Sequence, residues 1–258
     1  MARNYARRSV LSGLVGVGLA TAGVSVTSTG AVAADAPYSR TDFAMASWDG
    51  TELVGSMYVP DEGGPHPVVL GTHGYGNDHS TAAIERRADV YASNGYVFCA
   101  YDSRGFGESG GEVGVDGPNE VADALTLLDR LALGEVGGVA VNVATDENGP
   151  VCAMDGLSYA GGIQLNTTAV STPEAADRLL PADASFETIS FADGSPLDAV
   201  VPRWAWHDLR FSLAPRGVVK SGWDSLLLAT GATGSRGLTS GDGKPSIYDL
   251  RYGVTEEV

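Results

Sequence analysis

Lysine is almost absent. The chain has two, Lys220 and Lys244, in 258 residues, against 32 acidic side chains and a formal net charge of −16. Such a surface offers no basic face to a phosphate backbone, so nucleic acid is excluded as a partner class. Cysteine is nearly as scarce, with Cys99 and Cys152 alone, and no Cys/His spacing fits a zinc site. Histidine occurs four times, and only His207 follows residue 158. No long hydrophobic run is present: the apolar stretch from Val10 to Val24 is too short and too weakly hydrophobic for a membrane span. Tandem repeats are missing too. The 43% hydrophobic and 19% charged residues exclude wholesale disorder. What is abundant is glycine, 35 residues and about twice average usage, which predicts a loop-rich globular domain. The acidic, lysine-poor surface suggests a protein of strong salt, where carboxylates hold water and cations and salt screens their repulsion.

The N-terminus reads as an export signal. Arg3, Arg7 and Arg8 form a basic start, no acidic residue precedes Asp35, and Ala31-Val32-Ala33 offers small residues for cleavage. The adjacent Arg7-Arg8 fits the twin-arginine type. Residues 1–33 are expected to be this signal, leaving an extracellular or cell-surface protein with no stable membrane span.

Beyond it, short apolar runs alternate with helical patterns. Asp42 to Ser47 and Glu52 to Pro60 read as the arms of a hairpin turned at 48–51. Buried strands are expected at Val68 to Thr72, Tyr96 to Tyr101, Val151 to Met154 and Leu197 to Val201. Helices are expected at Ala82 to Asn94, Asn119 to Leu133 and Ser158 to Val170. Strands alternating with helices imply crossover connections and a parallel sheet, so the fold class is α/β with an antiparallel hairpin at the start.

The chemistry centres on Asp155-Gly156-Leu157-Ser158-Tyr159-Ala160-Gly161-Gly162, which follows a buried strand and opens a helix. A nucleophile elbow needs that context, with small residues two positions either side of a serine on a sharp turn. Gly156 and Ala160 meet the need, although the pattern is G-x-S-x-A. Ser158 is the candidate nucleophile, beside the positive end of the helix. Gly71-Thr72-His73-Gly74-Tyr75-Gly76 ends an earlier strand. An oxyanion hole here would use the Tyr159 N–H and Tyr75, by its N–H or its hydroxyl. His73 is expected to shape its loop. Asp102 and Arg104, in Tyr101-Asp102-Ser103-Arg104-Gly105-Phe106-Gly107-Glu108-Ser109-Gly110-Gly111, are expected to form a structural ion pair or cap.

This order of motifs resembles the X-Pro dipeptidyl-peptidase and cocaine-esterase-like serine hydrolases of the α/β-hydrolase superfamily, from about Tyr38 to Trp223. Val200-Val201-Pro202-Arg203 followed by Trp206-His207-Asp208-Leu209 is similar to the segment leading into that family's helical lid. The resemblance implies an α/β-hydrolase fold with strand order 1-2-4-3-5-6, a Ser-Asp-His triad, acyl-enzyme chemistry, no cofactor, and small ester or short peptide substrates. It makes 34–220 a partial hydrolase core and 221–258 the start of a lid or cap. In that strand order one strand separates Cys99 from Cys152, roughly 9 to 10 Å apart and beyond disulfide reach.

Two triad members do not appear. The family's acid and then its histidine follow the lid, whereas His207 precedes both and Asp198 lies at the wrong end of its strand. The expectation is therefore a chain truncated at its C-terminal side. Its serine hydrolase activity would be on ester or peptide bonds, with carboxylesterase or acyl transferase as the alternative. A non-catalytic fragment or scaffold is the alternative of another class. Asn166-Thr167-Thr168 is a sequon on an expected helix, and Asp146-Glu147-Asn148 an expected solvated turn. Trp204, Trp206 and Trp223 either line an acyl pocket or pack the lid.

Overall fold

A computed structural model of the protein describes residues 36–234; the expected signal and the end of the expected lid segment lie outside the described residues. Strand β1 (Tyr38–Ala46) turns through Gly50, at φ 83°, into β2 (Glu52–Pro60). Then come β3 (Val68–Thr72), α1 (Ala82–Ala92), β4 (Val97–Tyr101), α2 (Pro118–Ala132), β5 (Cys152–Leu157), α3 (Tyr159–Ala169), α4 (Pro173–Leu179), β6 (Ala199–Arg203), α5 (Leu209–Leu213) and α6 (Ser221–Gly234). Two small hairpins, over 135–140 and 145–150, lie between α2 and β5. The acidic turn is the second of them, with Asp146 Oδ1 accepting from the Asn148 N–H.

The six strands form one sheet in the order β1-β2-β4-β3-β5-β6. β1 and β2 pair antiparallel, as do β2 and β4; β4, β3, β5 and β6 run parallel. All five residues of β3 and of β4 are buried, which is why each reads as a continuous apolar run. One face of the sheet is covered by α1, whose Ile84, Ala88 and Ala92 pack with Tyr58, Val69 and Phe98. The other is covered by α2 and α3, with Leu125, Leu128 and Ile163 against Leu70, Cys99 and Met154. Each fully buried aliphatic or aromatic side chain contributes about 1.5–3 kcal/mol to this core.

Cys99 pairs in register with Leu70 and Cys152 with Val68, on opposite sides of β3, and both thiols are free and buried. Strand β6 begins two residues later than its apolar run predicts. Asp198 stands ahead of it: its carboxylate accepts the Cys152 N–H at 2.8 Å and its own N–H donates to the Cys152 carbonyl. The ladder can only start beyond that capping exchange. β6 lies at the sheet edge, with Val201 44% exposed. Among the described residues no helix is long and apolar enough to cross a membrane.

Candidate active site

Ser158 links β5 directly to α3 with φ 58° and ψ −118°. A side chain rarely adopts such a backbone; holding one there costs on the order of 1–3 kcal/mol, which the surroundings must over-determine. Here they do. The Ser158 N–H donates to the Arg203 carbonyl at 2.8 Å, so the end of β6 fixes the turn from outside. The Ser158 carbonyl accepts from Gly161 and Gly162, at 2.8 and 3.0 Å, starting the helix. The G-x-S-x-A spacing has a steric cause. A Cβ on Gly156 would stand 2.3 Å from the Ala160 Cβ, so residue 156 must be glycine once residue 160 carries a methyl. At Gly162 a Cβ would meet the Asp116 carboxylate at 1.9 Å.

Ser158 opens onto a cavity of about 270 Å³. Tyr75 and Tyr159 line it from the core side, and Trp204, Trp206 and Trp223 from the segments after β6. The three residues the sequence singles out are therefore brought together on one cavity. The tryptophans line it rather than pack a closed lid: Trp204 is 83% exposed and Trp223 57%. Behind it, Tyr75, Phe106 and Tyr159 meet edge to face, with centroids 5.2 to 5.7 Å apart. The Tyr75 hydroxyl is shut off from solvent without an acceptor, and burial pushes its pKa to about 12. The phenol therefore stays protonated, a buried donor without an acceptor.

None of the four histidines lines this cavity. His66 is bound by the carbonyls of Gly95 and Glu62. His73 Nδ1 faces the Gly74 carbonyl at 2.9 Å, while its Nε2 accepts the Ser103 N–H at 3.1 Å. That pattern requires the neutral Nδ1–H tautomer, and burial pushes the His73 pKa down in agreement. His73 thus shapes its loop. His207 is exposed on the run into α5, beside Phe211.

The loop after β4 corrects one expectation. Asp102 and Arg104 do not pair with each other. Arg104 grips Asp123 of α2 through two nitrogens, at 2.6 and 2.7 Å, and reaches Asp49 at 3.0 Å. Asp102 instead binds His79: ring and carboxylate are 2.9 Å apart, and Asp102 Oδ2 also accepts the Glu108 N–H. Burial pulls the His79 pKa down, but the hydrogen bond and charge of Asp102 outweigh it and hold it above the ordinary histidine value. Burial pushes Asp102 up, and the His79 contacts outweigh that to hold it low. Both pairs are structural, since neither reaches the cavity lining.

Sequence reading also passed over a buried acid pair. Asp116 has both carboxylate oxygens buried without partners, and Glu120 has one; the other accepts from the Tyr159 hydroxyl at 3.1 Å and from the Gly114 N–H. Burial, with the Glu120 charge added, pushes the Asp116 pKa well above the carboxylate range; burial raises Glu120 too. A signal existed. Glu120 and Asp123 stand at helical spacing with Leu127 and Leu131, on the face that the apolar pattern turns inward. The sequon is on α3 as expected, with the Asn166 amide donating to the Asp116 carbonyl and Thr167 buried.

Sheet order, elbow and flanking helices define an α/β-hydrolase. The chain matches the profile of the X-Pro dipeptidyl-peptidase (S15) family over residues 49–244, and it belongs to that family. Among solved structures it is similar to a hypothetical protein from Pseudomonas aeruginosa, at 19% identity and TM-score 0.49, covering 77% of this chain and 56% of that one. Brefeldin A esterase, a bacterial homologue of human hormone sensitive lipase, is similar at 17% and 0.48, covering 75% and 51%. A cold-adapted esterase from an Arctic intertidal metagenomic library is similar at 23% and 0.40, covering 54% and 58%. The chain thus spans about half the length of these structures. No curated protein matches it.

Proposed function

We propose that this protein is an exported serine hydrolase that cleaves ester or X-Pro peptide bonds through an acyl-enzyme on Ser158. The observation that carries the reading is the backbone of Ser158, held at φ 58° on the rim of a cavity shared with Tyr75 and Tyr159. Strain of this kind at a strand-to-helix turn is what presenting a nucleophile requires. The Ser158 Oγ adds to the substrate carbonyl as its proton passes to water, and the developing oxyanion is held by the Tyr159 N–H together with Tyr75. Collapse breaks the carbonyl–oxygen or carbonyl–nitrogen bond and the leaving alcohol or amine takes up a proton; water then adds to the acyl ester, releasing the carboxylic acid and returning a proton to the Ser158 Oγ. Tyr159 is the first residue of α3, so its N–H has no partner within the helix and points where the helix dipole favours negative charge. The aromatic lining suits an apolar acyl or prolyl group.

One observation favours a second reading, a non-catalytic scaffold: no histidine lines the cavity, and without its base a serine nucleophile loses most of its rate. The assay that separates the two measures release of p-nitrophenol from p-nitrophenyl acetate and of p-nitroaniline from Ala-Pro-p-nitroanilide, in strong salt. Turnover above that of Ser158→Ala supports the hydrolase, and the preferred leaving group distinguishes esterase from peptidase. Turnover equal to that of Ser158→Ala on both substrates supports the scaffold. Export rests on Arg7 and Arg8, and Arg7→Lys/Arg8→Lys is expected to leave the protein inside the cell.

A further inference from the structure

A second cleft lies on the α1 side of the sheet, behind the elbow. Its volume is about 370 Å³. One wall is a single face of α1, carrying Arg86, Arg87 and Tyr91; the other is the end of β5 and β6, with Asp155, Leu157 and Arg203. Three guanidinium groups here meet one carboxylate. Asp155 is fully engaged, accepting from Arg203 at 2.6 Å and from the Tyr91 hydroxyl at 3.0 Å. Arg87 is held only by carbonyls, those of Asp155 and Thr72 at 2.8 and 2.9 Å, and its Nε finds no acceptor. Arg86 is exposed, with no hydrogen bond or ion pair among the described residues. The acids of the same helix lie outside the cleft lining, Glu85 near Arg40 and Asp89 accepting from the neutral Tyr38 hydroxyl. Among the groups that line the cleft two positive charges are left over, in a protein whose net charge is −16. The crowding registers on Arg87: burial pulls its pKa down, Asp155 pushes it back, and the Arg203 charge pulls it down again.

We propose that this cleft binds a doubly charged oxyanion of the phosphate class, held by Arg86 and Arg203 against the fixed charge of Arg87. Guanidinium forks match phosphate oxygens in geometry as well as charge. Elsewhere the acidic surface repels anions, so the cleft concentrates them locally. The anion would also brace the strand end behind the nucleophile, because the Arg203 carbonyl is what the Ser158 N–H donates to.

The test titrates inorganic phosphate into the full chain by calorimetry at pH 8, with ionic strength held constant by sodium chloride. Wild type is expected to show one saturable site, weakened about tenfold or more by Arg86→Gln and by Arg203→Gln and untouched by Arg130→Gln on the far helix. Arg86 has no partner to lose, so its variant keeps the fold, which circular dichroism checks. Competition by glycerol phosphate at equal concentration assigns the site to phosphomonoesters, and its failure assigns it to free phosphate. Heat no greater than that of matched chloride overturns the proposal, as does an Arg86→Gln protein that binds like wild type.

Discussion

Replacing Gly156 by alanine tests why the elbow is built as it is. The new methyl would lie 2.3 Å from the Ala160 Cβ and 2.9 Å from the Gln164 Nε2, against the roughly 3.5–4.0 Å at which carbon atoms rest. Helix α3 must therefore move away from β5 by more than an ångström. Overpacking of this kind costs about 1–3 kcal/mol, and a contact between a strand and the first turn of a buried helix belongs at the upper end. For a domain of this size each kcal/mol lowers Tm by about 2–4 °C, so the expected loss is roughly 4–12 °C. Ala160→Gly removes the obstructing methyl at about 1 kcal/mol in helix propensity. Gly156→Ala/Ala160→Gly should then be more stable than the sum of the two single losses, by about 1 kcal/mol or more. Scanning calorimetry of the four proteins closes the cycle. A Gly156→Ala protein as stable as wild type refutes the steric argument, and so does a double variant whose losses simply add.

Three further outcomes follow from the buried charges. Arg104→Ala leaves Asp123 buried without its cation, so urea denaturation should show a loss of about 3–5 kcal/mol; a loss below 1 kcal/mol contradicts the role assigned to that pair. The His79–Asp102 pair predicts a pH window. His79 is raised in the fold, so its contribution is complete below about pH 6.5 and disappears as pH rises through the raised value; Asp102 is lowered, so its contribution is complete above about pH 4 and disappears as pH falls through the lowered value. His79→Gln should flatten the decline in stability above pH 6.5, and an unchanged profile refutes the assignment. Asp116 binds its proton more tightly in the fold, so its contribution declines as pH rises from about 4 towards the raised value. Asp116→Asn should therefore be more stable than wild type at pH 8, measured by the same denaturation, and a less stable variant counts against it.

The elbow was legible because its signal is local. An apolar run ending in Gly-x-Ser-x-Ala states strand, turn and helix within ten residues, and the turn's sterics act over four. The sheet order was legible through resemblance, and β3 and β4 through their unbroken apolar runs. What stayed hidden was partnership across the chain. Asp102 and Arg104 stand two apart, yet their side chains leave the loop in different directions, to His79 and to Asp123. Nothing in the local text names a partner 19 or 23 residues away. Asp116 and Glu120 were missed for another reason: an acid just ahead of a helix, or in its first turn, is ordinarily solvated. Here packing of α2 against α3 buries them instead, Glu120 to 1% exposure. The placement of Glu120 on the apolar stripe was the available clue.

Labelling by a fluorophosphonate probe in strong salt, mapped by mass spectrometry, tests the central claim most directly. The account predicts one adduct, on the peptide that contains Ser158, and none on a folded Ser158→Ala protein. Folded wild type left unlabelled at Ser158 would contradict it, because the turn at Ser158 would then present no nucleophile.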